Sequence, residues 1–168
     1  MSIKRTSEIL TIGFEINESA LNTFTQERID LQLNPLDLEV LLIYAVDLDP
    51  GRPSCIPGTN TQTTMSMTST SQSAVPTIGE ANCFARTQYA IQSTTPDAAV
   101  GFQHVAPDTP TGGDLPYIAI VATSDMFVQI KGANNSGAVT GSGKVFCARA
   151  RVDASVYAAL VQSQVLSS

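Results

Sequence analysis

Residues 33–50 read LNPLDLEVLLIYAVDLDP, and the spacing of their apolar side chains decides the fold class. Leu36, Leu38, Val40, Leu42, Tyr44, Val46 and Leu48 occupy every second position. The intervening positions begin and end charged (Asp37, Glu39, Asp47, Asp49) and are apolar in the middle (Leu41, Ile43, Ala45). A period of two is that of a β-strand, here covered on one side throughout and on the other at its centre. Upstream, Ile29, Leu31 and Leu33 alternate with Arg28, Asp30 and Gln32, and Asn34-Pro35 supplies a turn. This arrangement predicts a hairpin of roughly 24–33 with 38–48. Leu10, Ile12, Phe14 and Ile16 form an earlier strand of the same period.

Downstream, Asp49-Pro50-Gly51-Arg52-Pro53 ends the long strand. No charged residue occurs from Pro53 to Gly79, and ten of the fifteen residues 59–73 are Ser or Thr. Low complexity of this kind suits a flexible linker. The alternative is a strand, since Thr is β-branched and Met65 and Met67 stand two apart. An uncharged strand fits burial between neighbours better than a free edge, so the strand is the expectation. Residues 83–92 alternate again. Residues 93–116 hold four prolines and Gly112-Gly113, which predicts a long loop, with room for a short strand at 100–105. Tyr117–Ala122 is apolar on both faces and reads as a central strand, joined by Thr123-Ser124-Asp125 in a tight hairpin to 126–131. Asn134-Asn135-Ser136-Gly137 and Gly141-Ser142-Gly143 mark a loop. The last strand, 144–152, points Phe146, Ala148, Ala150 and Val152 inward and Arg149 and Arg151 outward. Only then does the period change: Asp153 is placed to cap a helix whose stripe is Tyr157, Leu160, Val161 and Val165.

The 168 residues suffice for one well-cored domain, 1–168. Charged residues make up 14%, little more than half the usual ~25%. Ser and Thr, 34 of 168, fill the difference. A net charge of -6 excludes a basic nucleic-acid surface, so no sequence-specific nucleic-acid partner is expected. No apolar run approaches the ~20 residues of a transmembrane segment. The first residues carry Lys4-Arg5 without an apolar run behind them, so no secretory signal is expected. Cys55, Cys83 and Cys147 have no CxxC spacing; reduced thiols are expected, with one disulfide plus a free thiol as the alternative.

Patterns for chemistry fail one after another. His104 is the single histidine, it lies in the proline-rich loop, and no GxSxG elbow accompanies it. Gly141-Ser142-Gly143-Lys144 lacks the P-loop's first glycine, since Ala138 stands there, and Val145 replaces its Ser or Thr. Asp47 and Asp49 share a strand end and are a weak Ca²⁺ candidate; solvated carboxylates are the plainer reading. Arg149 and Arg151 are expected to pair with carboxylates of this chain or a neighbour. No enzyme activity and no cofactor are expected.

Eight or nine short strands and one terminal helix describe an all-β, jelly-roll-type antiparallel β-sandwich with a short C-terminal helix. Residues 33–50, 117–135 (YIAIVATSDMFVQIKGANN) and 148–164 (ARARVDASVYAALVQSQ) resemble viral structural proteins, in particular the single jelly-roll capsid proteins of phages or archaeal viruses. The resemblance implies a self-assembling shell subunit of a virion, assembled in the host cytoplasm. Its partners would be copies of itself and other capsid proteins. The arm at 1–8 and the helix at 153–166 would reach neighbouring subunits, with Arg149, Arg151, Tyr157, Leu160 and Val161 as contact candidates. Low charge suits copies packed side by side, because like charges repel. Two other readings are a receptor- or carbohydrate-binding sandwich of a spike or fibre, and a subunit of an extracellular filament.

Overall fold

The computed structural model describes residues 3–105 and 116–166. Among these the chain forms ten strands: β1 (Ile3–Arg5), β2 (Leu10–Asn17), β3 (Thr25–Asp30), β4 (Glu39–Pro50), β5 (Thr61–Thr68), β6 (Cys83–Thr95), β7 (Ala98–Val105), β8 (Ala119–Val121), β9 (Asp125–Ala133) and β10 (Thr140–Val152). One helix, α1 (Ala154–Leu166), follows. All pairings are antiparallel. In one sheet β10 pairs with β2 and β1 on one side and with β4 on the other, and β4 pairs with β8. The second sheet runs β3-β9-β5-β6-β7. With β1 and β7 set aside, 2-10-4-8 faces 3-9-5-6, which is the strand order of a jelly roll.

That order corrects both expected hairpins. β3 pairs with β9 and β4 with β10 and β8, so the Asn34-Pro35 turn carries the chain from one sheet to the other. A turn of 3-10 helix at Pro35–Asp37 makes the corner, with the Asn34 side chain accepting from the Leu36 N–H at 3.0 Å. Leu38 closes it at φ 54°, a left-handed conformation that costs a β-carbon-bearing residue roughly 1–2 kcal/mol. Likewise β8 and β9 belong to different sheets, so 123–125 is a crossing, and β8 is an edge strand rather than a central one. Turn chemistry announces a change of direction but not which strand will be met afterwards, because pairing is set at long range.

The parity of β4 also differs from the plain alternation. Ala45 stands opposite Phe146 and Ile43 opposite Cys147, leaving Tyr44 as an extra residue. Such a bulge moves every later side chain to the other face. Hence Leu41, Ile43, Val46 and Leu48 enter the core between the sheets, whereas Val40 and Leu42 face outward under α1. Leu36, expected on the strand's covered face, is 91% exposed on the corner. The core is completed from the other sheet by Met65, Met67, Met126, Val128 and Ile130, all essentially solvent-free. Each such side chain contributes about 1.5–3 kcal/mol of transfer free energy.

Two further segments differ from expectation. Gly141 and Gly143 lie inside β10 rather than in a loop. A β-carbon at Gly141 would overlap the Met65 thioether, and one at Gly143 the Phe14 ring, so close packing demands glycine there. The strand expected at 100–105 is present and begins at Ala98, but 93–95 are strand rather than loop: β6 continues to Thr95 and turns at Pro96-Asp97 into β7, where His104 stands opposite Gln88. Pro107, Pro110 and Gly112-Gly113 lie outside the described residues. The Ser/Thr-rich segment is a strand as expected, and β5 sits at the centre of its sheet between β9 and β6.

Candidate subunit interface

Arg149 and Arg151 stand opposite Leu41 and Glu39 on β10, on the face that carries Val145 and Cys147 into the core. Phe146, Ala148, Ala150 and Val152 occupy the other face, so the expected inward and outward sets are exchanged. Arg149 sits at the crossing from β3 to β4. Its guanidinium donates to the Leu31 carbonyl at 2.9 Å and the Gln32 carbonyl at 3.3 Å, and it pairs with the Glu39 carboxylate. The arginine thus clamps the crossing from β3 to β4, using a planar fork of donors that lysine lacks. Arg151 reaches Asp37 at 3.6 Å, with both side chains more than half exposed, a pairing of little energetic weight. Both carboxylate partners lie within this chain.

The expected contacts at the two ends are also made internally. Tyr157, Leu160 and Val161 pack with Val156 on Val40, Leu42, Ala122, Ala150 and Val152, the outer face of the chain's own sheet. β1 is hydrogen-bonded into that sheet beside β10, and Ile3 joins the same cluster. What these segments leave for a neighbour is their outer surface. On α1 that surface is uncharged, with Ala158, Ala159 and Gln162 along it and Val165 and Leu166 at its end.

Asp47 and Asp49 are exposed on β4, opposite Lys144 and Ser142. Among the described residues no three carboxylate, cysteine or histidine side chains gather closely enough to hold a metal ion. Cys55 is exposed and Cys83 and Cys147 are buried, all as free thiols. Burial pushes the Cys83 and Cys147 thiols up from the usual value, against the weaker opposing pull of Arg86 on Cys83 and of Arg149 on Cys147.

The informative feature is how the four sheet edges are treated. A free edge offers unpaired N–H and C=O groups to any passing strand, and proteins normally cover or charge it. β8 is covered: Gln164 of α1 donates to the Ile120 carbonyl at 2.7 Å and accepts from the Ala122 and Thr123 N–H groups at 3.1 and 3.2 Å. β3 is charged, with Glu27, Arg28 and Asp30 in six residues. Among the described residues β7 has neither protection. Its eight residues, AAVGFQHV, contain no acid, lysine or arginine, and Val100 and Phe102 are 66% and 47% exposed on one face. β2 is intermediate, with one carboxylate, Glu15, and Ile9 and Leu10 exposed where it begins. A short strand at 100–105 was expected within the proline-rich segment, but not that it forms the edge of this sheet.

Gln164 was equally hidden, since a glutamine in an apolar helix reads as surface. Glu18 was hidden for another reason. It lies in the turn after β2, where a carboxylate reads as solvent-exposed, yet it is buried. Its carboxylate accepts the Gly132 N–H and, at 2.9 Å, the Val139 N–H. Asn135 exchanges hydrogen bonds with Asn22 and accepts the Ser54 N–H at 2.8 Å, tying three loops at this end of the sandwich.

No family model matches the chain, and no curated protein matches it in sequence. Among solved structures it is similar to VP1 of Trichodysplasia spinulosa-associated polyomavirus, at 8% identity over 89% of this chain and 99% of that one, with a TM-score of 0.44. Apo chimpanzee polyomavirus VP1 gives 6% identity, the same shares and 0.44. Desmodium yellow mottle tymovirus gives 11% identity over 88% of this chain and 91% of that one, with a TM-score of 0.30. Likeness at this level carries no argument about function, and the assignment of a jelly roll rests on this chain's own strand order.

Proposed function

We propose that this chain is a structural subunit that assembles with copies of itself into a virion shell, of the single jelly-roll kind its sequence resembles in phages and archaeal viruses. One observation carries the reading: the fold protects the β3 and β8 edges and leaves β7 apolar, uncharged and unpaired among the described residues. An exposed strand of that kind is a hazard in a monomer and an asset in a subunit. A neighbouring copy that pairs along β7 satisfies its backbone and covers Val100 and Phe102. The partial exposure of β2 at Leu10 supplies a second, different edge, and two unlike edges allow head-to-tail contacts that close into rings or a shell. The arm at 1–8 and the helix at 153–166 contribute their outer surfaces to the same contacts. Other capsid proteins are further partners, and assembly proceeds in the host cytoplasm.

The test is expression of the full chain alone, followed by size-exclusion chromatography with light scattering and by negative-stain microscopy. Rings, closed shells or lattices are expected. A monomer at every concentration overturns the proposal, and a monomer that binds a glycan favours the spike or fibre reading instead.

A further inference from the structure

The connection between β5 and β6, residues 69–82, folds back over the outer face of the second sheet. It is anchored there by the Gln72 N–H on the Gln26 side-chain carbonyl at 2.8 Å and by Gln26 Nε2 on Ser71 Oγ at 2.9 Å. Between this strap and the sheet lies a cleft of about 300 Å³. Its floor includes Thr64 and Gln62 of β5, its roof Ser73 to Val75, and one wall Phe24. Arg86 of β6 and Lys131 of β9 enter from opposite sides, one strand away from β5 on each hand.

The two cations are left without counter-charge. No carboxylate lines the cleft, and neither cation stands in an ion pair among the described residues. Arg86 is also short of partners. Its Nη2 makes one long hydrogen bond, 3.4 Å, to Gln88 Oε1, and its Nε is buried with no acceptor among the described residues. A guanidinium is a rigid fork of donors suited to the oxygens of a carboxylate or phosphate, and leaving a charged donor unmatched in a half-buried place is costly. In a chain of net charge -6, two cations held together under a strap with hydroxyl and amide groups beside them are an arrangement for an anion.

We infer that this cleft binds a compact oxyanion, a carboxylate or a phosphate, between Arg86 and Lys131. The anion accepts from the unspent guanidinium donors and from the ammonium, while Thr64, Ser73 and Gln62 offer further hydrogen bonds. The inference stands on the cleft alone and does not depend on self-assembly.

The experiment titrates the full chain with inorganic phosphate and, separately, with acetate, each against sodium chloride of equal ionic strength. Backbone amide shifts of residues 73–75 and 131–133 are followed together with the melting temperature. Saturable shifts at those amides and a raised melting temperature relative to chloride are expected for at least one anion. The better-bound anion tells whether the site prefers phosphate or carboxylate. Lys131→Gln should weaken binding about tenfold or more, the loss expected for one charge-assisted hydrogen bond. Arg86→Gln should abolish it, and if that variant does not fold, the exposed Lys131 still decides. Shifts no larger than those in chloride, or equal affinity in wild type and Lys131→Gln, overturn the inference.

Discussion

β5 and β7 belong to the same sheet, and composition would place each where the other lies. β5, TQTTMSMT, is mostly polar, yet Thr63, Met65, Ser66, Met67 and Thr68 are solvent-free. β7, AAVGFQHV, is mostly apolar, yet Ala98 to Gln103 are all exposed. The difference lies in what surrounds them. β5 has a strand on both sides, the core beneath and the 69–82 strap above, so the Ser66 and Thr68 hydroxyls face fixed acceptors. Ser66 Oγ donates to Gln129 Oε1 at 2.7 Å, Gln129 Nε2 donates to Thr68 Oγ1 at 2.8 Å and Gln26 Oε1 at 2.9 Å, and Thr68 Oγ1 donates to the Thr70 carbonyl at 2.6 Å. A buried polar strand is stable when its groups are satisfied. The apolar strand at the rim, by contrast, has a neighbour on one side only among the described residues.

The comparison can be broken first at Gln129. Gln129→Leu removes the hub of the polar layer and leaves Ser66 Oγ without its acceptor, so unfolding stability should fall by about 3 kcal/mol in urea titrations. A loss below about 1 kcal/mol would mean that the network is decoration. Arg149→Ala should follow with a loss of about 2 kcal/mol, because the Leu31 and Gln32 carbonyls and the Glu39 carboxylate lose their common donor. Thr63 sharpens the contrast in the other direction. Its hydroxyl is buried with no partner among the described residues, so Thr63→Val, which keeps the shape, should raise stability by roughly 1 kcal/mol. At the rim the expectation is reversed again: Phe102→Lys should change monomer stability by no more than about 0.5 kcal/mol while removing assembly.

The smallest effect concerns the cysteines. Cys55 should react with a maleimide in the folded protein, and Cys83 and Cys147 only after unfolding. Their thiols are held above the ordinary 9.0 in the folded state, so they ionise more readily once unfolded. The contribution they make is therefore complete below about pH 9 and declines as pH rises beyond it. Denaturant midpoints measured on either side of that pH test the sign.

Much of the fold was legible. Period two identified β2, β4, β6 and β10, the change of period located α1, and Thr content with paired methionines placed β5 as a buried strand. What escaped was information that neighbours supply. The Tyr44 bulge is invisible in a run of unbroken alternation because its cause is the register against β10. The partners of β3 and β9 lie about a hundred residues apart, beyond the reach of any turn signal. The pairing of Arg149 and Arg151 with carboxylates was legible, but not that both partners lie in this chain, nor that Tyr157, Leu160 and Val161 cover the chain's own sheet. The β7 edge was half visible, as an alternation inside a segment whose prolines read as loop.

The most direct test is the sedimentation of the full chain beside Phe102→Lys, both over the same range of micromolar concentrations. The wild type should sediment as oligomers whose size grows with concentration or ends in a closed particle, and Phe102→Lys as a folded monomer. A wild type that remains monomeric throughout contradicts self-assembly, and a variant that assembles as the wild type does contradicts the role of β7.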